Sequence, residues 1–315
     1  MDEGRVALGL DVGGTKVAGF VVSERGEVRD RVELPTPAQD AEAIMQTLFA
    51  AVEELRSRAD PVALGVGAAG MVEAGTGTMR WAPNIAWREL PIRDRVAERF
   101  GLPVVVDNDA NAAAWGEYRA GAGRGYRHLL MITVGTGIGG GIVMDGQLYR
   151  GAHGFAAEIG HIIVEPGGPR CGCGNLGCWE QVASGQALDR AATETARSDP
   201  EGGVARAAAG APPSGRHVAT AAGNGDEDAL AILAEVGLRL GQGMAGLANV
   251  LDPDAIVIGG GLAEIGAPLL DPARAAFLAS IEAPDHRPEV PVVAAALGNE
   301  AGGIGAGLLA LEMVP

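Results

Sequence analysis

Apolar and polar positions along the chain switch between a two-residue and a helical period, and each switch marks an element. Over residues 8–22, apolar β-formers flank Asp11-Val12-Gly13-Gly14-Thr15, which predicts two strands joined by a glycine turn. Over residues 41–58, Ile44, Leu48, Ala51, Val52 and Leu55 recur at helical spacing and predict an amphipathic helix. Residues 62–67 read as a buried strand. A short helix over Ile92–Phe100 is stopped by Gly101, and the β-branched run 102–106 reads as a second buried strand that delivers Asp107-Asn108-Asp109 at its end. The helical pattern of residues 110–119 runs out into glycines at 121, 123 and 125. Residues 129–134 and 140–143 repeat the strand, glycine turn, strand pattern of the N-terminal segment. Two such units, each followed later by helices, suggest two related α/β lobes. Further on, Ser184 is placed to cap a helix reaching about Arg197, and residues 199–216 lack periodicity and are expected to form a surface loop. A long helix is expected over 226–250, a buried strand over 255–258, and a closing helix over Ala301–Leu311.

Length and composition narrow the class. The 315 residues exceed the usual extent of one hydrophobic core, so two lobes with a cleft are expected. With 47% hydrophobic and 20% charged residues the chain reads as a globular enzyme and not as a disordered polymer. Its 50 glycines gather in clusters such as Gly13-Gly14 and Gly259-Gly260-Gly261, which suit close approach of backbone to a ligand. A formal charge of -16 argues against broad basic patches for nucleic acid. The N-terminal residues lack the basic start and apolar core of a signal peptide, and the uncharged run 129–144 is broken by glycines and shorter than the roughly 20 residues of a membrane span. A cytoplasmic protein without membrane contact is expected. Among 24 basic residues, Lys16 is the sole lysine.

Three stretches offer parts for phosphate binding. Asp11, Gly13, Gly14, Thr15 and Lys16 bring a carboxylate, backbone amides, a hydroxyl and a cation into one tight turn. The run from Gly135 to Gly141, with Thr136 and Gly137, offers amides and a hydroxyl, while Gly260 and Gly261 after a strand offer a flat surface for a nucleotide. A lone lysine in an arginine-saturated chain suggests a compact ammonium directed at a phosphate oxygen. Cys171, Cys173 and Cys178 are the only cysteines, and with His161 they make the donor set of a closed tetrahedral zinc site, which is structural in type. Such a metal would fix the nearby carboxylates of Glu158 and Glu180. Asp109, just past a buried strand, is placed to act as a base, with helix capping by Asp107 or Asp109 as the competing use.

The ordered set LDVGGTK at 10–16, DNDANAAAWGE at 107–117, GTGIGGG at 135–141, EIGH at 158–161 and CGCGNLGCWE at 171–180 resembles the sugar kinase, heat-shock protein and actin superfamily. Within it, the chain resembles the ROK family of bacterial sugar kinases and repressors over essentially its full length. The resemblance implies an α/β, two-lobed actin-like ATPase fold in which ATP and sugar meet in the cleft. The expected lobes are residues 1–112 with 300–315, and residues 113–299, the latter holding the zinc segment and nucleotide site. It further implies that Asp109 is the catalytic base, that Gly70, Asn84, Asn108, Glu158, His161 and Glu180 line the sugar, and that Asp11 organises Mg²⁺ through water. The expected activity is ATP-dependent phosphorylation of a hexose. Glucose is favoured by the segment from Trp81 to Trp87; fructose, N-acetylglucosamine and N-acetylmannosamine are the alternative acceptors. The short segment before Leu10 and the acidic balance favour a kinase over a DNA-binding repressor, and a non-catalytic sugar-binding regulator is the third reading. A homodimer or homotetramer is implied by the family alone.

Overall fold

The computed structural model describes residues 4–314. The chain opens with β1 (Val6–Val12), β2 (Lys16–Ser23) and β3 (Val28–Pro35), followed by α1 (Ala41–Arg56). The expected glycine turn is present: Leu10 pairs with Gly19 and Val12 with Val17 across antiparallel β1 and β2. There follow β4 (Leu64–Ala68), β5 (Met71–Glu73), β6 (Thr78–Trp81), β7 (Arg88–Pro91), α2 (Ile92–Phe100), β8 (Val104–Asn108) and α3 (Asp109–Ala120). The first sheet has the order β3-β2-β1-β4-β8, and β5, β6 and β7 make a small sheet of their own. Because β1, β4 and β8 run parallel, Asp11, Gly67 and Asp107 come into register at one edge of the sheet. Carboxyl ends of parallel strands are where α/β folds place ligand-facing residues.

The chain continues through β9 (Leu129–Val134), β10 (Ile138–Met144), β11 (Gln147–Leu148), α4 (Glu180–Ala183), α5 (Gly185–Ser198), α6 (Gly203–Ala208), α7 (Gly215–Gly223) and α8 (Glu227–Leu251). It ends with β12 (Ala255–Gly259), α9 (Ala267–Ser280), β13 (Val292–Ala294) and α10 (Ala301–Leu311). A second five-stranded sheet has the order β11-β10-β9-β12-β13. By contact the chain divides into Met1–Met131 with Gly140–Ala157 and Val293–Pro315, and Ile132–Gly139 with Glu158–Val292.

Glycine sets the depth of the first unit's core. A Cβ on Gly9 of β1 would fall 1.9 Å from the Gly303 carbonyl oxygen, and one on Gly305 would fall 1.7 Å from that of Ala112. Helix α10 therefore lies backbone-to-backbone against both β1 and α3, which explains why a helix with several glycines is kept despite their cost to helix formation. In the second unit, the buried side chains Leu233 and Val236 of α8 pack with Leu188, Val204, Val218 and Leu269. Helix α8 alone among the described residues has the length and apolarity to cross a membrane, yet this buried face belongs to the core cluster.

Residues 199–216 correct an expectation. They are not a loop: α6 and the start of α7 lie there, with Val204 and Ala208 buried and Ala209 in the left-handed region at φ 50°. Six residues are too few to display a 3.6-residue period, so burial of Val204 and Ala208 was invisible to pattern.

Candidate functional site

Asp109 is the first residue of α3, and the helix is capped by its neighbour. Asn108 Oδ1 accepts from the Ala110 and Asn111 amides at 2.8 and 3.1 Å, so neither Asp107 nor Asp109 is used up as a cap. Asn108 Nδ2 donates to the Gly70 carbonyl at 3.1 Å. Gly70 has φ 147°, and a Cβ on it would fall 2.5 Å from the Trp81 carbonyl oxygen, so this position demands glycine. Burial raises the Asp109 pKa above the ordinary carboxylate value, against the lowering pull of hydrogen bonds from the Ala110 and Asp109 amides and Asn108. Asp11 is pushed up to about 7, first by burial and then by the Asp109 carboxylate, with Lys16 pulling the other way. The Asp109 carboxylate thus favours the neutral form of Asp11.

The β1–β2 turn is pinned from outside: the Gly13 amide donates to the Lys16 carbonyl at 3.0 Å, and Thr36 Oγ1 donates to the Gly13 carbonyl at 2.9 Å. Gly14 adjoins Asn84, whose Cβ would lie 3.3 Å from a Cβ placed on the glycine. Thr15 is held by its carbonyl, which accepts from the Thr36 amide at 3.0 Å. The Lys16 ammonium lies 2.7 Å from Glu33 Oε2, on an exposed face of β2 and β3. That partner is 17 residues away in sequence and becomes near only through strand register.

The other candidates fall in the second unit. His161 ends a 3-10 turn, Ile159–His161, whose Gly160 lies so close to the Ile138 carbonyl that a Cβ would fall 2.1 Å from its oxygen. Cys171 and Gly174 close a tight turn through a 3.0 Å backbone bond. The ligand atoms of His161, Cys171, Cys173 and Cys178 all lie within 4.8 Å of one another. Cys171 Sγ is 3.6 Å from His161 Nδ1, and Cys173 Sγ is 3.6 Å from Cys178 Sγ. Tetrahedral zinc with Zn–S bonds of about 2.3 Å needs S···S edges of about 3.8 Å, so the cluster fits the ion with little adjustment. Burial, together with Glu180 and the neighbouring thiol, pushes the Cys171 thiol up in pKa.

Glu180 opens α4 and bridges two predicted sites. Its Oε1 accepts from the Cys171 thiol at 3.0 Å, and its Oε2 accepts weakly from the Ile138 amide at 3.4 Å. A Cβ on Gly137 would fall 2.3 Å from Oε2, so Gly137 is the floor on which this carboxylate rests. The Thr136 carbonyl accepts from Ser184 Oγ at 2.9 Å, which docks the start of α5 on the same turn. Glu158 immediately precedes the His161 turn. Gly260 has φ 85° and abuts the Val134 carbonyl, whereas nothing lies within 4 Å of a Cβ placed on Gly261.

Two supporting groups escaped sequence reasoning. Arg150 Nε donates to the buried Asp107 carboxylate at 2.6 Å. Arg190 Nη1 donates to Gln181 Oε1 at 3.0 Å, holding the buried residue next to Glu180. The only signal for either was the presence of a buried polar partner, which sequence does not display.

The sequence profile of the ROK family matches residues 7–313. The chain is 46% identical over 314 residues to a glucokinase of Streptomyces coelicolor, covering 98% of this chain and 99% of that one. It is 37% identical to an N-acetylmannosamine kinase of Escherichia coli, covering 96% of this chain and 97% of that one. The crystal structure of a ROK family glucokinase from Streptomyces griseus in complex with glucose and AMPPNP superposes with a TM-score of 0.89 at 45% identity, over 98% of this chain and 99% of that chain. These relatives carry the actin-like ATPase class of α/β fold that the motifs implied. From the profile, the identity along the whole length and the shared fold, the chain belongs to the ROK family.

Proposed function

We propose that this chain is an ATP-dependent glucokinase that transfers the γ-phosphoryl group of ATP to the 6-hydroxyl of glucose. The observation that carries the reading is the 46% identity to the Streptomyces coelicolor glucokinase along 98% of the chain. The relative solved with glucose and AMPPNP supports both substrates. Asp109 accepts the proton of the attacking hydroxyl; a carboxylate whose pKa is raised by burial is a stronger base than one in water. Phosphoryl transfer passes through a loose transition state, so an aimed acceptor and charge compensation are what the protein must supply.

Asn108, its oxygen spent on the helix cap, has its remaining Nδ2 proton for a sugar oxygen, with Gly70 beside it, and Asn84 is a further sugar contact. Glu158, His161 and Glu180 hydrogen-bond the sugar hydroxyls. Nδ1 of His161 belongs to the cysteine cluster, which leaves Nε2 for a hydroxyl. Zinc on His161, Cys171, Cys173 and Cys178 has no open position and serves to hold these three side chains. The turn at Gly13, with the amides of Gly14 and Thr15, and Thr136, Gly137, Gly260 and Gly261 receive the nucleotide, and Lys16 reaches a phosphate oxygen by exchanging Glu33 for it. The hard oxygens and crowded charge of Asp11 and Asp109 suit Mg²⁺, which Asp11 would hold through water. When bound, that ion offsets phosphate charge.

A coupled ADP-release assay against glucose, mannose, fructose and the N-acetylated hexosamines tests the reading. Glucose should give the highest kcat/KM. A preference for N-acetylmannosamine, the acceptor named for the Escherichia coli relative, would overturn the choice of sugar while keeping the kinase. Absence of ADP release with every sugar would overturn the kinase.

A further inference from the structure

Asp107 lies two residues before the proposed base and has no part in the chemistry above, yet its side chain is only 6% exposed and fully engaged. Its Oδ1 accepts from the Asn108 amide at 2.8 Å and from Asn111 Nδ2 at 3.0 Å. Its Oδ2 accepts from Arg150 Nε at 2.6 Å. The two Oδ1 donors stand on either side of Asp109, one residue before it and two after. With Asn108 Oδ1 taking the Ala110 and Asn111 amides, the turn from 107 to 111 is laced shut around the base. Arg150, just beyond β11 and 43 residues away in sequence, brings the cation that this buried carboxylate needs.

We propose that Arg150 is a positioning residue for phosphoryl transfer: by pairing with buried Asp107 it fixes that carboxylate in place, and the carboxylate holds the turn that aims Asp109. The inference rests on Asp109 being the base. Without the guanidinium, the buried Asp107 carboxylate has no cation to offset its charge. The relief available is rotation toward water. Rotation costs the bonds that Oδ1 takes from the Asn108 amide and from Asn111 Nδ2. The turn then loosens, and the base loses its alignment while the sugar and nucleotide contacts on other segments remain. Misplacement of a reacting group by about 1 Å is enough to cost about 100-fold in rate.

Steady-state kinetics on Arg150→Met, Arg150→Lys, Asp107→Asn and the Arg150→Met/Asp107→Asn double variant test this. Arg150→Met should lower kcat by about 10- to 100-fold with KM for glucose and ATP within about three-fold, and Arg150→Lys should recover part of the loss. In the double variant, the neutral amide that replaces the Asp107 carboxylate needs no counter-ion and still offers an oxygen to the same two donors. Its kcat should therefore be no lower than that of Arg150→Met, and it keeps the test usable if that single variant does not fold. An unchanged kcat in Arg150→Met overturns the proposal. So do losses that multiply in the double variant, or a rise in KM at constant kcat. Failure of the underlying assignment is seen separately, as full activity in Asp109→Asn.

Discussion

Asp109 owes its proposed strength as a base to burial, and its freedom from capping to the residue before it. Asn108 takes the cap of α3, so the aspartate that follows keeps its carboxylate clear of that duty in a partly buried place. Asp109→Asn removes the proton acceptor and keeps the shape. The variant should lose roughly 100- to 10,000-fold in kcat while glucose affinity, read by calorimetry, stays within a few-fold. Loss of both would mean a damaged fold instead. The sequence marked Asp109 because a strand end followed by a helix start is a local pattern. It could not mark Arg150 or the Lys16–Glu33 pair, because each needs a partner brought near by register or by chain return over 43 and 17 residues. Local patterns reveal where a side chain stands, and long-range pairing decides what faces it.

At the scale of elements, some glycines meet backbone, some meet side chains and some meet nothing. Gly305 of α10 has a carbonyl 1.7 Å from the place of a Cβ, and backbone cannot yield as a side chain can. Gly305→Ala should therefore lower unfolding free energy in urea by about 2 kcal/mol or more. Gly246 of α8 meets nothing within 4 Å, and Gly246→Ala should gain about 0.5–1 kcal/mol from helix propensity alone. Equal effects at the two sites would refute the packing account. The segment from Glu158 to Glu180 makes the complementary case, with little regular structure and a cluster of soft donors in its place. Chelation, or Cys173→Ser, should weaken glucose binding measured by calorimetry more than ADP binding, with loss of about one bound zinc per chain by mass spectrometry. An equal loss for both ligands would refute a positioning role for the metal. This segment was legible because cysteine spacing is itself the signal, whereas α6 and α7 were hidden by shortness and by alanine and glycine, which carry little period.

Across the whole molecule, the paired glycine hairpins revealed two α/β halves, while the short strands β5, β6 and β7 had too few residues to show alternation. The same carboxylates that suit catalysis weaken the fold, and pH separates the two effects. Asp11 has a folded-state pKa of about 7 against 3.8 for the free side chain, so between those values the folded chain holds more protons than the unfolded one. Stability from this group is therefore complete below pH 3.8 and is lost as pH rises toward 7, by at most about 4 kcal/mol. Catalysis runs the other way: Asp109 must lose its proton to act, and burial has raised its pKa, so kcat should fall on the acid side at a pH above the ordinary carboxylate range. Asp11→Asn abolishes the first effect. In thermal melts without added magnesium, the variant should exceed the parent Tm at pH 8, with the gap closing as pH falls toward 4. A gap that stays constant with pH would show that Asp11 does not carry the strain, and that the site's two carboxylates are accommodated without cost to the fold.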